Sequence, residues 1–356
     1  MFGLRRKQRP LLGIDISSTA IKLIELASTP DTADEFYRVE TFAIEPLPAN
    51  AVVENKLADV ESVGQIIARA VSRSGTRAKR TAVAVSGSAV ITKVIAMNAA
   101  LSDAEMEAQI QLEADQYIPY PLEEVNLDFD VLGPTAGNTE MVDVLLAASR
   151  RENVDDRVSA LEIAGLVAEI VDVEAYAMEN ACGLLLGGIG NDIREQTVAV
   201  VDIGATTSLQ VLHAGRTVYT REQNFGGNQL VEEVQRRYTL SLEQALERIE
   251  TDKLPENYHI EVLGPYQEAL AQQIARALQF FYSASSFNRA DHIILAGGAA
   301  SIPHIDALIE ERLGFPVVIA NPFEQMAIGP RVHQATLQRA APSLMVAVGL
   351  ALRSFG

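Results

Sequence analysis

Tryptophan is absent from this 356-residue chain, and cysteine occurs once, as Cys182. A lone cysteine excludes an internal disulfide and any multi-cysteine metal site, which suits a reducing compartment such as the cytoplasm. Basic residues are scarce: 29 Lys and Arg stand against 47 Asp and Glu, a net charge of −18. That imbalance argues against general attraction to nucleic-acid phosphates or anionic lipid headgroups. The one cationic run, Arg5, Arg6, Lys7 and Arg9, reads as a solvated end ahead of the alternative, a tail that touches a membrane or a partner. Long apolar runs are missing as well. The longest late one, Leu344 to Leu352, has nine residues, where about 20 are needed to span a bilayer. Only Leu11 and Leu12 follow the basic run before Gly13 and Asp15, too little for a secretory signal. His213, His259, His292, His304 and His333 show no ligand spacing, and no Walker P-loop pattern occurs.

What remains is a folded composition, 48% apolar and 21% charged, with length for two domains or one large composite domain. Two segments carry the same pattern 187 residues apart: LLGIDISSTAIKLIEL over 11–26 and VAVVDIGATTSLQVLH over 198–213. Each is an apolar run ending in Asp-Ile, a turn of small or hydroxylated residues, and a second apolar run. The first predicts strands over 11–16, 21–27 and 36–45, with the turn STPDTADE before the third. The second predicts strands over 198–203, 208–213 and 217–223. A helix and a strand follow each meander: 57–73 and 81–85 in the first half; 227–238, 242–250, 265–286 and then 291–296 in the second. The period is far too long for a solenoid.

Between the halves lies a segment with its own rhythm, predicted as strand 90–97, helix 102–117, strands 125–132 and 141–148, and helix 151–164. Ser102 with Glu105 forms a capping-box pattern, and Pro119 and Pro121 end the helix. Strand 166–173 returns to the first half. The glycine-rich stretch Gly183 to Gln196 reads as a hinge. Glu243, Glu247 and Glu250 read as a solvated helix face. Tyr117 and Tyr120 suit either packing around the proline turn or a contact surface.

An aspartate hairpin tip with Ser17, Ser18 and Thr19, or with Gly204, Ala205, Thr206 and Thr207, offers hydroxyls and backbone N–H groups to an anion. Two such tips facing each other would clamp a polyphosphate, with Asp15 and Asp202 holding Mg²⁺ through its waters. The alternative is that each aspartate only caps its turn. A third element, IILAGGAASIPHIDALIEERL over 293–313, runs from a buried strand through Gly297, Gly298 and Ala299 into a helix, where bare backbone admits a flat ring.

The order DISST, DIGATT, LAGGAASIP resembles the actin, Hsp70 and sugar-kinase superfamily. Within it, the segments EADQYIPYPLEEVNLDF, DVLLAASRRENVDDRV, VVDVEAYAMEN, VYTREQNFGGNQL and GLALRSFG are similar to the PilM family of type IV pilus assembly proteins. The resemblance covers nearly the whole chain and implies an α/β, duplicated actin-like (ribonuclease H-like) fold. Two domains would close around a nucleotide cleft, with an inserted small α+β subdomain. It implies a first subdomain over 1–88, completed by 166–190 and a C-terminal helix over 341–356; an insertion over 89–165; and a second domain over 191–340 with a small insertion near 226–265. It implies a helix crossing between the domains at Val173 to Ala181. It adds Lys22, Gly226, Gly227, Gln229 and Glu233 to the nucleotide-binding set.

The family's role implies an ATP- and Mg²⁺-binding cytoplasmic scaffold. It would grip the N-terminal cytoplasmic segment of the inner-membrane protein PilN between the first subdomain and the insertion. PilN in turn joins PilO and PilP, and the scaffold would link them to the pilus motor ATPases and the platform protein. Two other readings stay open. An ATPase or phosphotransferase needs a group that orients water or accepts a proton, for which Glu174 and Gln210 are the candidates. A division protein of the FtsA kind shares the inserted-subdomain layout but attaches through a terminal amphipathic helix, whereas 343–353 is nearly all apolar.

Overall fold

A computed structural model of the chain describes residues 10–29, 37–189 and 196–355. The basic run at 5–9, most of the turn at 28–35 and residues 190–195 of the expected hinge lie outside the described residues. Strands β1 (Leu11–Ile16), β2 (Ala20–Ser28) and β3 (Tyr37–Pro46) form the expected antiparallel meander. A short ribbon, β4 (Val52–Val53) with β5 (Lys56–Leu57), leads into α1 (Val60–Ser74). The Asp59 side chain caps α1 by accepting the Ser62 N–H at 2.9 Å, and Gly75 ends it in a left-handed conformation at φ 65°. Its Val63, Ile66, Ile67 and Ala70 recur at helical spacing and are buried. β6 (Arg80–Val85) then lies parallel to β1.

The inserted segment comprises β7 (Val90–Asn98), α2 (Asp103–Glu113), β8 (Val125–Thr135) and β9 (Asn138–Arg150), in a sheet of order β7-β9-β8. It has its own small core, centred on Met97, Met106, Ile110, Val144 and Leu146. The capping box forms: the Glu105 carboxylate accepts the Ser102 N–H at 2.8 Å. The next helix, α3 (Arg151–Ile163), buries Ala160 and Leu161 in the core beneath α1 rather than against the inserted sheet. β10 (Val167–Val173) pairs in parallel with β6, and α4 (Glu174–Ile189) follows without a break. The glycine-rich stretch, expected to be a hinge, is therefore helical as far as Ile189. Leu184, Leu185 and Leu186 pack in or against the core here, which offsets the roughly 1 kcal/mol that a helical glycine costs relative to alanine.

The second half repeats the scheme with β11 (Thr197–Ile203), β12 (Thr207–His213), β13 (Arg216–Gln223), α5 (Gly227–Tyr238), α6 (Leu242–Glu250), α7 (Gly264–Ala284), β14 (His292–Ala296), α8 (Ile305–Leu313) and β15 (Val317–Ile319). Its sheet order, β13-β12-β11-β14-β15, has the connectivity of the strands β3-β2-β1-β6-β10. The short β16 (Met326–Ile328) then crosses back to pair in parallel with β3.

Helices α9 (Gln334–Ala340) and α10 (Met345–Leu352) end the described chain. The stretch Gln334–Leu352 is long and apolar enough to cross a membrane by composition, yet Met345 to Ala351 are buried against β1 and α4. Each fully buried Val or Leu here contributes about 1.5–3 kcal/mol. The close approach depends on missing side chains: a Cβ on Gly349 would overlap the Ala177 carbonyl, and one on Gly13 the Ala347 carbonyl. Thus α10 and α4 cross at backbone contact under the first sheet, and the second half's β12 and β13 reach the same α4.

Candidate functional site

The two halves enclose one cavity of about 630 Å³. Asp15 is the penultimate residue of β1 and Asp202 that of β11, so matched strands deliver matched carboxylates to its floor. Ser17, Ser18, Thr19 and Lys22 line one side; Gly204, Ala205 and Thr206 line the other; Gly227, Gly297, Gly298 and Ala299 close the end. Parallel pairing of β14 with β11 places Ala296 beside Asp202, which brings the Gly297 turn to the same edge. Gly297 sits at φ 87°, and a Cβ there would overlap an Asp202 carboxylate oxygen.

Four of the expected residues stand off the cavity wall. Thr207 is buried in β12, its hydroxyl without a partner. Gly226 packs behind the second turn, where a Cβ would lie 2.6 Å from the Ala205 carbonyl oxygen. Gln229 serves that packing, since its side-chain oxygen accepts the Gly226 N–H at 2.6 Å. Glu233 pairs with Arg236 in a separate surface depression. Within the first turn, the Ser17 hydroxyl is spent locally, donating to the Ala20 carbonyl at 2.9 Å, while Ser18 and Thr19 are exposed toward the cavity.

Lys22 lies opposite Asp15 in the β1–β2 register, and its ammonium contacts the Asp15 carboxylate at 2.8 Å, with 16% and 6% of the two side chains exposed. Burial opposes its charge, but Asp15 and Asp202 outweigh burial and hold its pKa above the usual lysine value. Burial pushes the Asp202 carboxyl up to about 6, with Lys22 pulling against the rise and Asp15 adding to it. Glu174, at the first position of α4, is pushed to about 8 by burial and then by Asp15, against the pull of Arg157. At neutral pH the Glu174 carboxyl is therefore mostly protonated. Asp15 and Asp202 are then balanced by Lys22 and Arg157, and a polyphosphate entering this floor needs a cation of its own.

Sequence reasoning missed Arg157, Ser86, Asn55 and Glu222, all of which line the cavity. Arg157 is 2% exposed and donates to the backbone carbonyls of Ala84 at 2.7 Å, Asn153 at 2.8 Å and Asn55 at 3.2 Å. A single arginine in the polar run RENVDDR carries no periodic signal that distinguishes it from a solvated one. Gln210, a candidate for orienting water, is 5% exposed, and its amide nitrogen donates to the Ala175 carbonyl at 2.7 Å and the Thr217 hydroxyl at 2.6 Å. Both of its N–H groups are committed.

Comparison with known proteins bears on this arrangement. A solved PilM–PilN type IV pilus biogenesis complex is 30% identical over 98% of this chain and 99% of that chain, with a TM-score of 0.81. The ethanolamine utilization protein EutJ from Carboxydothermus hydrogenoformans shares the fold at 18% identity, covering 98% of this chain and 90% of its own, with a TM-score of 0.55. The duplicated sheets are thus those of the actin-like fold. The type IV pilus assembly protein PilM family matches over residues 13–355, and the chain belongs to that family.

Proposed function

We propose that the protein is an ATP- and Mg²⁺-binding scaffold of type IV pilus assembly that grips the cytoplasmic N-terminal segment of PilN. In this reading it is cytoplasmic and held at the inner membrane through PilN. It aligns PilN, PilO and PilP with the pilus motor. The observation that carries the nucleotide part is the convergence of Asp15 and Asp202, from matched strands of the two halves, on one cavity. The family assignment and the relative solved as a complex with PilN support the partner.

The residues present suit the nucleotide. Bare backbone at Gly204, Gly227, Gly297 and Gly298 admits phosphates and a flat base, while Lys22 supplies a fixed positive charge. Asp15 and Asp202 suit Mg²⁺ held through water, because that ion keeps most of its hydration shell. Bound there, Mg²⁺ offsets the phosphate charge that the balanced floor does not. Slow or absent turnover fits the same site: Glu174 is mostly protonated at neutral pH and the Gln210 amide is tied to α4 and β13.

The test is a pull-down by an immobilised peptide copying the PilN N-terminus, with and without ATP-Mg²⁺, beside thermal melts in the same buffers. Capture together with nucleotide-dependent stabilisation is expected. Failure to capture in both buffers overturns the partner, and unchanged melting overturns the nucleotide.

A further inference from the structure

The mouth of the cleft is bridged by side chains that the phosphate-binding reading does not use. Asn55, in the turn between β4 and β5, donates through Nδ2 to the Ser88 hydroxyl at 2.9 Å. The same amide donates to the Glu222 carboxylate, at 3.1 and 3.3 Å from its two oxygens. Glu222 belongs to β13 in the other half, and the Thr206 hydroxyl donates to it at 3.3 Å. One exposed carboxylate therefore joins the tip of the second turn to the opposite lip.

The first-half side of this bridge is the root of the inserted sheet. Ser88 Oγ lies 3.2 Å from Ser86 Oγ, in the short turn Gly87–Ala89 that feeds directly into β7. Asn55 is held in a left-handed conformation at φ 63°, and its carbonyl accepts from the buried Arg157 of α3 at 3.2 Å. Arg157 also holds the Ala84 carbonyl near the end of β6, two residues before the root begins at Ser86. The Ser149 hydroxyl donates to the Ala89 carbonyl at 3.0 Å, tying β9 to the same root.

An anion seated on the second turn changes both terms that hold Glu222 in place. It takes the Thr206 hydroxyl as its own donor, and it sets negative charge beside a carboxylate. Neither change touches the bonds on the root's own side. We infer that Asn55 and Glu222 form a clasp across the cleft, which a nucleotide on the second turn opens, freeing the root of the inserted sheet from the second half. This rests on the nucleotide reading given above. Glu222 acts as a positioning residue: the ligand favours the open clasp because that state frees the Thr206 hydroxyl and eases the repulsion that Mg²⁺ leaves, which is the difference in affinity a population shift requires.

The experiment is amide hydrogen exchange of the full chain over residues 86–92, with and without saturating AMPPNP-Mg²⁺, with thermal melts on the same samples. In the unmodified protein, nucleotide should raise the melting temperature and speed exchange at the root several-fold. Asn55→Asp tolerates the left-handed backbone but repels Glu222, so its root should exchange fast in both states. Glu222→Gln keeps acceptors for Asn55 and Thr206 without the charge, so the nucleotide response should fall by more than half. A nucleotide-stabilised protein whose root is unchanged or slowed overturns the clasp, as does Asn55→Asp responding like the unmodified chain. If nucleotide fails to raise the melting temperature, the nucleotide reading falls, and the clasp loses its trigger with it.

Discussion

Replacing Glu174 by glutamine should remove a pH dependence of stability that the unmodified protein carries. The side chain faces Asp15, Asp202, Arg157 and Ser86, and its pKa rises from 4.5 to about 8 on folding, chiefly through burial. Because the folded pKa lies above the unfolded one, the folded state binds the extra proton between these values. Stability is fully present below pH 4.5 and is lost as pH rises through about 8. Each pH unit in that window costs about 1.4 kcal/mol, so the interval from pH 6 to pH 9 costs about 3 kcal/mol, a ceiling that cavity water trims. Glutamine mimics the protonated acid in shape and cannot ionise. The assay is urea unfolding of both proteins at pH 6, 7, 8 and 9, read as their stability difference at each pH, which cancels the titrating groups not coupled to Glu174. The difference should shift by about 2–3 kcal/mol in favour of the glutamine variant by pH 9. Curves that stay parallel within about 0.5 kcal/mol would refute the protonated floor, because an ionised Glu174 contributes no slope in this range.

Lys22→Met leaves Asp15 and Asp202 facing each other without their cation, and should cost about 3 kcal/mol at pH 8, the low end for breaking a buried pair. The loss should shrink at pH 5, where Asp202 takes up a proton; equal losses at both values would disconnect Lys22 from the pair. Asp15→Ala and Asp202→Ala should each abolish the rise in melting temperature produced by ATP-Mg²⁺, and unchanged rises in both would remove the site assignment. Gly349→Ala sets a helix-propensity gain of about 1 kcal/mol against overpacking of about 1–3 kcal/mol or more, and the overlap with the Ala177 carbonyl makes the net change a loss. A higher melting temperature would contradict the backbone contact between α4 and α10. Cys182 is buried and its thiol is pushed up to about 12, so alkylation of the native protein should proceed only at the rate of unfolding. Rapid native labelling would show that α4 does not pack as described.

The meanders were legible because apolar alternation and turn chemistry both act over a few residues. The strands beginning at Leu11 and Thr197 carry that signal undiluted, as do the turns that end them. The helical run of α4 through Gly183–Ile189 was not legible because its glycines suggest a break, whereas Cys182 and Leu184 to Leu186 pack with the core. β16 was missed because three residues, Met326–Ile328, have no period of their own and gain a place only by pairing with Tyr37–Val39. α3 was assigned by its place in the chain to the insertion, but Ala160 and Leu161 choose a core that no linear pattern can name. The site shows the same divide. Asp15, Asp202 and Gly297 could be read because a strand end fixes what they face. Arg157, Asn55 and Glu222 reach the cavity from a helix, a two-strand ribbon and an edge strand, brought together only by tertiary packing.

The bonds between the halves also determine how the cleft can move. On the inner side, Gln210 donates to the Ala175 carbonyl, and the Glu179 carboxylate accepts both the N–H and the hydroxyl of Thr217 at 2.7 and 2.6 Å. These bonds tie β12 and β13 to α4. Gln210 is buried, so breaking its bonds would strand polar groups at about 1–3 kcal/mol each. At the mouth, Asn55 meets an exposed Glu222, where water can replace either partner at little cost. The bonds to α4 are therefore the costlier to break and the clasp the cheaper. Because the root of the inserted sheet sits beside Asn55, opening the clasp releases the attachment of that sheet from the second half. While the clasp is closed, the phosphate turn is thus linked to the insertion through Glu222 and Asn55, and opening removes that link.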